Sequence, residues 1–297
     1  MARVGAAIAT RMNGRPHDTP TGLPPGSVRW YVWLYAPPEA RAFTAALFAI
    51  EREITASARP GLDHGVAHAR LDWWQGECER IAAGRPVHPL ARTLVTPPTS
   101  AGQSPDLSGL LENARWDLAS AAFETRSELD AYCQRWANSI ALALAPPTAG
   151  PGAAAFPCRR GAALRETELL VHLASEARLG RLRLPLDELE RLQVDPQSAA
   201  HPPWPTPLTA LLHQRYEALH GILANRDPLR DHAQPRPALR TMEVWCSLTA
   251  RLAARALQAL PEPAPERARD RFTDALVAWR AARRMPLIDS ERRGPPS

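Results

Sequence analysis

The sequence predicts an all-α fold in a single domain. Three observations carry the prediction. Ala, Leu and Arg dominate the 297 residues and β-branched residues are scarce; Ala, Leu and Arg lose little side-chain freedom in a helix. Apolar residues return at three- and four-residue spacing in segment after segment, and no stretch alternates with period two. The apolar share of 45% is enough to bury a substantial core.

Residues 1–27, rich in Gly, Pro, Thr and Arg, read as a flexible N-terminal arm. The helical domain follows over 28–287 and a disordered tail over 288–297. Pro37 and Pro38 open a helix, where a missing N–H costs nothing, and Phe43, Leu47, Ile50 and Ile54 mark its face to about residue 58. Leu71, Trp74, Cys78 and Ile81 mark a second face, which Gly84-Arg85-Pro86 ends. Short helical turns are expected at 88–95 and 186–193. Longer helices are expected at 106–122, 126–145, 161–179, 208–223, 237–260 and 264–284. The Pro/Gly/Ala break from Pro146 to Pro157 is read as a long loop, because both flanks have the same helical texture.

The net charge is +5, and every basic side chain other than His is Arg. The arginines are scattered among acids and form no basic tract interleaved with aromatics, which argues against nucleic acid as a partner. Cys78, Cys133, Cys158 and Cys246 stand far apart, in neither a zinc pattern nor a disulfide framework. That usage fits a reducing compartment, so a cytoplasmic location is expected. No apolar run approaches the roughly 20 residues of a spanning helix, and no secretory signal opens the chain. Peripheral contact with the inner membrane stays open, and the sequence does not reveal the oligomeric state.

Four segments carry the chemistry. The first is Ala46-Leu47-Phe48-Ala49-Ile50-Glu51-Arg52-Glu53-Ile54. The second is Ala69-Arg70-Leu71-Asp72-Trp73-Trp74-Gln75-Gly76-Glu77, followed by Gly84-Arg85-Pro86-Val87-His88-Pro89-Leu90. The third runs from Leu110 through Asp117-Leu118 and Glu128-Leu129 to Tyr132-Cys133 and Ala137. The fourth runs from Ala163-Leu164 to Gly180-Arg181 and Leu184-Pro185. In this order and spacing, over roughly residues 28–285, they resemble the squalene/phytoene synthase family. The resemblance implies an antiparallel helical bundle around a central cavity. It also implies the head-to-head joining of two prenyl diphosphates, in which Mg²⁺ held by aspartates stabilises the leaving diphosphate.

The chain departs from the family pattern at the metal-binding positions. Aligned on Arg52, the first motif, Asp-Asp-x-x-Asp, falls on Thr55, Ala56 and Arg59. Aligned on Gly180-Arg181, the second, Asp-x-x-x-Asp, falls on His172 and Glu176. The neighbouring Asn and Arg are here Glu168 and Val171, and the exit Tyr is Arg183. Asn138 and Ala141 replace usual glycines, whereas Arg52 and Asp117 match. The expectation is a catalytically degenerate member with a vestigial cavity of Glu51, Arg52, Thr55, Arg59, Asp117, Glu168, His172 and Glu176, and no cofactor. Such a protein would bind a prenyl lipid or prenyl diphosphate, or a protein partner, as an assembly or accessory factor. Non-catalytic members of the family that assemble a respiratory complex supply the analogy.

Two further readings are weighed beside it. One is an active prenyltransferase of squalene, phytoene or hopanoid synthesis, using Mg²⁺ with His172, Glu176 and Asp117 as replacement ligands. The other is a metal-dependent hydrolase. Glu168, His172 and Glu176 follow at i, i+4, i+8, which puts them on one helical face, and Glu51, Thr55 and Arg59 do the same on the opposing helix. The first set makes either a metal site or, as favoured here, a polar network in which Arg52 and Arg59 neutralise Glu168 and Glu176. Trp73, Trp74, Trp116 and Trp136 are read as core ahead of a prenyl pocket, and His64 and His68 as a solvated pair. Gly150-x-Gly152 follows no strand, which disfavours a dinucleotide site, and no Gly-x-Ser-x-Gly elbow is present.

Overall fold

The computed structural model describes residues 20, 22–95, 104–145, 155–225, 236–264 and 271–284, and among them every regular element is helical. Ser27 starts α1 (Val28–Tyr35) by accepting the Trp30 N–H at 3.1 Å, a cap that satisfies an orphan donor. Pro38–Ala40 forms a 3-10 turn leading into α2 (Arg41–Ala56). Arg41 reaches back to the Leu34 carbonyl at 3.0 Å and fastens the two helices. Asp63 caps α3 (His64–Ala82) through the Val66 N–H. Then come α4 (Pro89–Val95), α5 (Ser108–Leu118), α6 (Arg126–Leu144), α7 (Ala155–Val171) and α8 (Leu173–Arg178). The series ends with α9 (Leu186–Arg191), a 3-10 turn at Pro196–Ala200, α10 (Thr206–Ala224), α11 (Arg236–Ala259) and α12 (Arg271–Arg284).

One apolar cluster runs from Leu23 to Ala282 and draws on helices from both sides of the 146–154 stretch. Helix α11 is its axis. It packs on α1, α6, α7, α10 and α12, and its Met242, Val244, Trp245 and Cys246 are fully buried. The α6–α7 pair approaches closely because Gly161 has no side chain. A Cβ there would lie 2.5 Å from the Ala141 Cβ and 2.8 Å from the Ala137 Cβ. Ala141, where the resemblance implies a Gly, is thus accommodated by a glycine on the opposing helix. At the edge of this pair, Glu166 accepts from Arg126 Nη2 and Arg215 Nη1, both at 2.7 Å, and Arg215 also reaches Glu188. That buried network ties α6, α7, α9 and α10 together.

Three sequence expectations change. The sequence pattern predicts no helix over the eight residues of α1. Leu23, assigned to the arm, is buried in the core; residues 1–19 and 21 of that arm, and the tail 288–297, lie outside the described residues. The helix expected over 161–179 is two helices meeting at His172. No helix among the described residues is long and apolar enough to cross a membrane.

Candidate functional site

Two walls face each other where the resemblance places the acid motifs: α2, carrying Glu51, and α7–α8, carrying Glu168 and Glu176. A continuous chain of hydrogen-bonded side chains joins them. It begins at Glu176, whose Oε2 accepts from Arg183 Nη2 at 2.8 Å and Nε at 3.2 Å. Arg183 Nη1 donates to Asp117 Oδ1 at 2.7 Å, and the Tyr132 hydroxyl donates to Asp117 Oδ2 at 3.0 Å. Arg165 Nη2 donates to the Tyr132 oxygen at 3.3 Å, and Arg165 Nη1 lies 3.4 Å from Glu168 Oε2. Arg29, on α1, bridges Glu168 Oε2 at 3.2 Å and Glu51 Oε1 at 2.9 Å. The Trp136 indole N–H closes the chain on Glu51 at 2.8 Å.

The electrostatics follow from the pairing. Burial works against the charge of Arg29, Arg165 and Arg183, since desolvation disfavours an ion. The facing groups outweigh it: Glu168 and Glu51 for Arg29, the Tyr132 oxygen as hydrogen-bond acceptor and then the Glu168 charge for Arg165, Asp117 for Arg183. All three guanidiniums are held above their ordinary range. Burial, with Asp117 adding to it, pushes the Tyr132 phenol up against the opposing pull of Arg165, so it stays protonated and can donate. Aromatic faces complete the shell. Arg29 lies over Phe48 and Trp245, each with Cζ 5.7 Å from the ring centroid, and Trp245 meets Trp136 edge-on at 5.5 Å.

The predicted site residues separate into two groups. Glu51, Asp117, Glu168 and Glu176 belong to the network. Arg52, Thr55, Arg59 and His172 are exposed and make no side-chain hydrogen bond to it. Arg52 and Arg59 therefore do not neutralise Glu168 and Glu176, contrary to the sequence expectation. The cause is geometric. Arg52 is turned about 100° around the helix from Glu51 and lies against Gly22, where a Cβ would sit 1.4 Å from its Nη1. Arg59 falls beyond Ser57, the C-cap of α2, so the i, i+4, i+8 face ends before it. The arginines that do the pairing are Arg29, Arg165 and Arg183, with Arg181 Nη1 4.0 Å from Glu176. Arg183 stands out in the sequence only as a departure. Arg29 and Arg165 were missed, though each left a signal: Arg29 is the sole charge in the apolar helix VRWYVWLY, and Arg165 precedes Glu168 by one helical turn.

Of the four tryptophans weighed for a prenyl pocket, Trp74 and Trp136 are buried core. Trp116 stacks on Phe123 at 5.5 Å, and Trp73 is largely exposed. His64 and His68 are both exposed.

The residues present do not fit a catalytic magnesium ion. Four carboxylates face four guanidiniums, so the cluster carries no net negative charge to attract a dication, and both Asp117 oxygens are already committed. Among the described residues no group of three or more His, Cys, Asp or Glu is arranged to hold a metal. Glu168, His172 and Glu176 are not such a group.

The family model described as squalene/phytoene synthase matches residues 26–281. Among curated proteins the chain is similar to the phytoene synthase of Arthrospira platensis, 30% identical over 138 residues, covering 40% of this chain and 44% of that protein. It is similar also to the 15-cis-phytoene synthase of Synechococcus elongatus, 29% identical over 146 residues, covering 43% and 47%. The chain thus spans less than half the length of these curated relatives. Among solved structures it is similar to a dehydrosqualene synthase in complex with ligand, with a TM-score of 0.71 and 14% identity over 94% of this chain and 95% of that one. The squalene synthase HpnC from Alicyclobacillus acidocaldarius gives 0.63 and 17% over 86% and 94%. At such identities the likeness is one of fold.

Proposed function

The chain belongs to the squalene/phytoene synthase family, and from that membership we propose that it keeps the family's bundle as a binding scaffold and has given up metal-dependent prenyl condensation. Its ligand is a prenyl lipid or prenyl diphosphate held without magnesium, and it serves as an accessory factor, alone or with a protein partner. One observation carries this reading: Arg29, Arg165, Arg183 and, at 4.0 Å, Arg181 offset the four carboxylates that would otherwise recruit dications. Ionising an allylic diphosphate requires its charge to be offset as the bond breaks, which in this chemistry is the task of the metal. Here the first motif's positions hold Thr55, Ala56 and Arg59, and the remaining acids are spent on guanidiniums. Freeing Asp117 and Glu176 means leaving the buried Arg183 unpaired, at a cost of several kcal/mol.

The test is diphosphate release from farnesyl or geranylgeranyl diphosphate by the purified chain, with Mg²⁺ and with chelator. No release above the protein-free rate is expected in either, while a prenyl diphosphate added in chelator raises the melting temperature. Release that depends on Mg²⁺ overturns the proposal. It would establish the second reading, an active prenyltransferase, which the phytoene synthase relatives favour.

A further inference from the structure

Arg29 holds a donor that the network between the walls does not use. Its Nη2 is taken by Glu51 and Glu168, and its Nε is buried without a partner. Its Nη1 makes no hydrogen bond among the described residues, and 30% of the side chain is accessible. Desolvation is nonetheless the largest influence on its ionisation, so the accessible part lines a recess between the walls and not an open outer face. Arg165 borders the same recess. It shares Glu168 Oε2 with Arg29, at 3.4 and 3.2 Å, and is 16% accessible. Aromatic rings back both guanidiniums, Phe48 and Trp245 behind Arg29 and Tyr132 and Trp136 behind Arg165, which favours these positions for the cations.

The acids here also keep acceptors in reserve. Glu51 uses Oε1 for both Arg29 and Trp136, and Glu168 uses Oε2 for both Arg29 and Arg165. Glu51 Oε2 and Glu168 Oε1 make no hydrogen bond among the described residues. This set selects the charge of a ligand's head. Two carboxylates cancel two guanidiniums, so no positive field draws an anion in. A diphosphate brought to Arg29 meets Glu51 and Glu168 at 2.9 and 3.2 Å from Nη2. Seating it there forces one of those acids off its arginine, which costs several kcal/mol when the acid stays inside. An uncharged oxygen displaces nothing. It accepts from Nη1, and a hydroxyl can also donate to a reserve carboxylate oxygen.

We propose, resting on the reading of the bundle as a prenyl-binding scaffold, that Arg29 sets the specificity of this recess and selects an isoprenoid whose head is an uncharged oxygen, hydroxyl or carbonyl, over a prenyl diphosphate. Arg29 Nη1 donates to that oxygen, and Glu51 and Glu168 hold the guanidinium in place from the other edge.

The experiment is calorimetric titration of the full chain, in chelator, with farnesol, geranylacetone and farnesyl diphosphate. At least one neutral ligand is expected to bind on the order of tenfold or more tighter than the diphosphate, with little dependence on NaCl. The tighter of the two identifies the head as hydroxyl or carbonyl. Arg29→Met with Glu51→Gln removes the donor and keeps the charge balance, and it lowers affinity for that ligand on the order of tenfold. Arg29→Lys keeps the charge and loses the planar fork; it lowers the same affinity and melts close to the parent, which serves if the double variant does not fold. Equal or tighter binding of the diphosphate overturns the proposal and leaves the scaffold reading standing. No binding by any of the three overturns both. Folded variants that bind the neutral ligand as the parent does overturn the assignment to Arg29.

Discussion

Arg183 shows how much one residue changes the meaning of a site. Where the resemblance implies a tyrosine, this chain places a guanidinium that is 4% exposed and bonded to both Asp117 and Glu176. Removing it leaves Asp117, itself 4% exposed, as a buried charge with a phenol for company. Breaking a buried pair from one side costs about 3–5 kcal/mol, more than the intact pair contributes. Arg183→Leu is therefore expected to lose that much stability by urea denaturation. Arg183→Leu combined with Asp117→Asn and Glu176→Gln should regain part of it, because the orphaned charges are then gone. Equal losses in both variants would show that Arg183 acts through packing alone. The sequence revealed the substitution, but not its partners. Spacing along one helix cannot show that a residue from the loop after α8 will reach a side chain on α5.

Elements were legible in proportion to their length and regularity. Long amphipathic helices such as α2, α6 and α10 announced themselves through repeated apolar positions. Helix α1 did not, since its eight residues fill less than one periodicity window and lie between proline-rich turns. That single omission concealed Arg29 and with it the bridge between the walls. The register of Glu168, His172 and Glu176 was drawn on an unbroken helix, but the chain turns at His172 and directs its imidazole to solvent. By contrast, the Gly-x-Pro-x-His-Pro turn was visible as a motif, and the structure supplies its physical cause in Glu77. Burial pushes that carboxyl up, but the His88 N–H, the Arg80 guanidinium and the Val87 N–H outweigh it and hold it below its ordinary 4.5. A depressed carboxylate stabilises the fold above its unfolded pKa, and that contribution is lost as pH falls through the folded value. Glu77→Gln should cost about 1–3 kcal/mol at pH 7. The gap from the parent should hold down to about 4.5 and close below it, as read by denaturation at a series of pH values. A gap that stays constant through the acid range would mean that the clamp works without its charge.

For the whole molecule, the deciding quantity is the net charge enclosed between the walls. A site that binds Mg²⁺ through carboxylates needs surplus negative charge, and a folded protein tolerates that surplus only at some cost in stability. On the proposed reading the surplus is absent from both sides: Thr55, Ala56 and Arg59 stand where the resemblance implies acids, and arginines of α1, α7 and the loop after α8 face the acids that are present. The consequence can be measured without substrate. A dication that binds only the folded state raises stability by about 2.7 kcal/mol at a hundred times its dissociation constant, which is several degrees of melting temperature for a chain of this size. Millimolar Mg²⁺ should leave the melting temperature of this protein where the same ionic strength of NaCl leaves it. A specific rise with Mg²⁺, absent with NaCl and reversed by chelator, would mean that the guanidiniums yield to the metal. The neutral network would then be a resting arrangement of an active site and not its replacement. Restoring Asp at positions 55, 56 and 59 is not expected to produce such a rise by itself. Arg29 would still hold Glu51 to Glu168, and Arg183 would still hold Asp117 to Glu176, so the two walls would meet any incoming cation already paired.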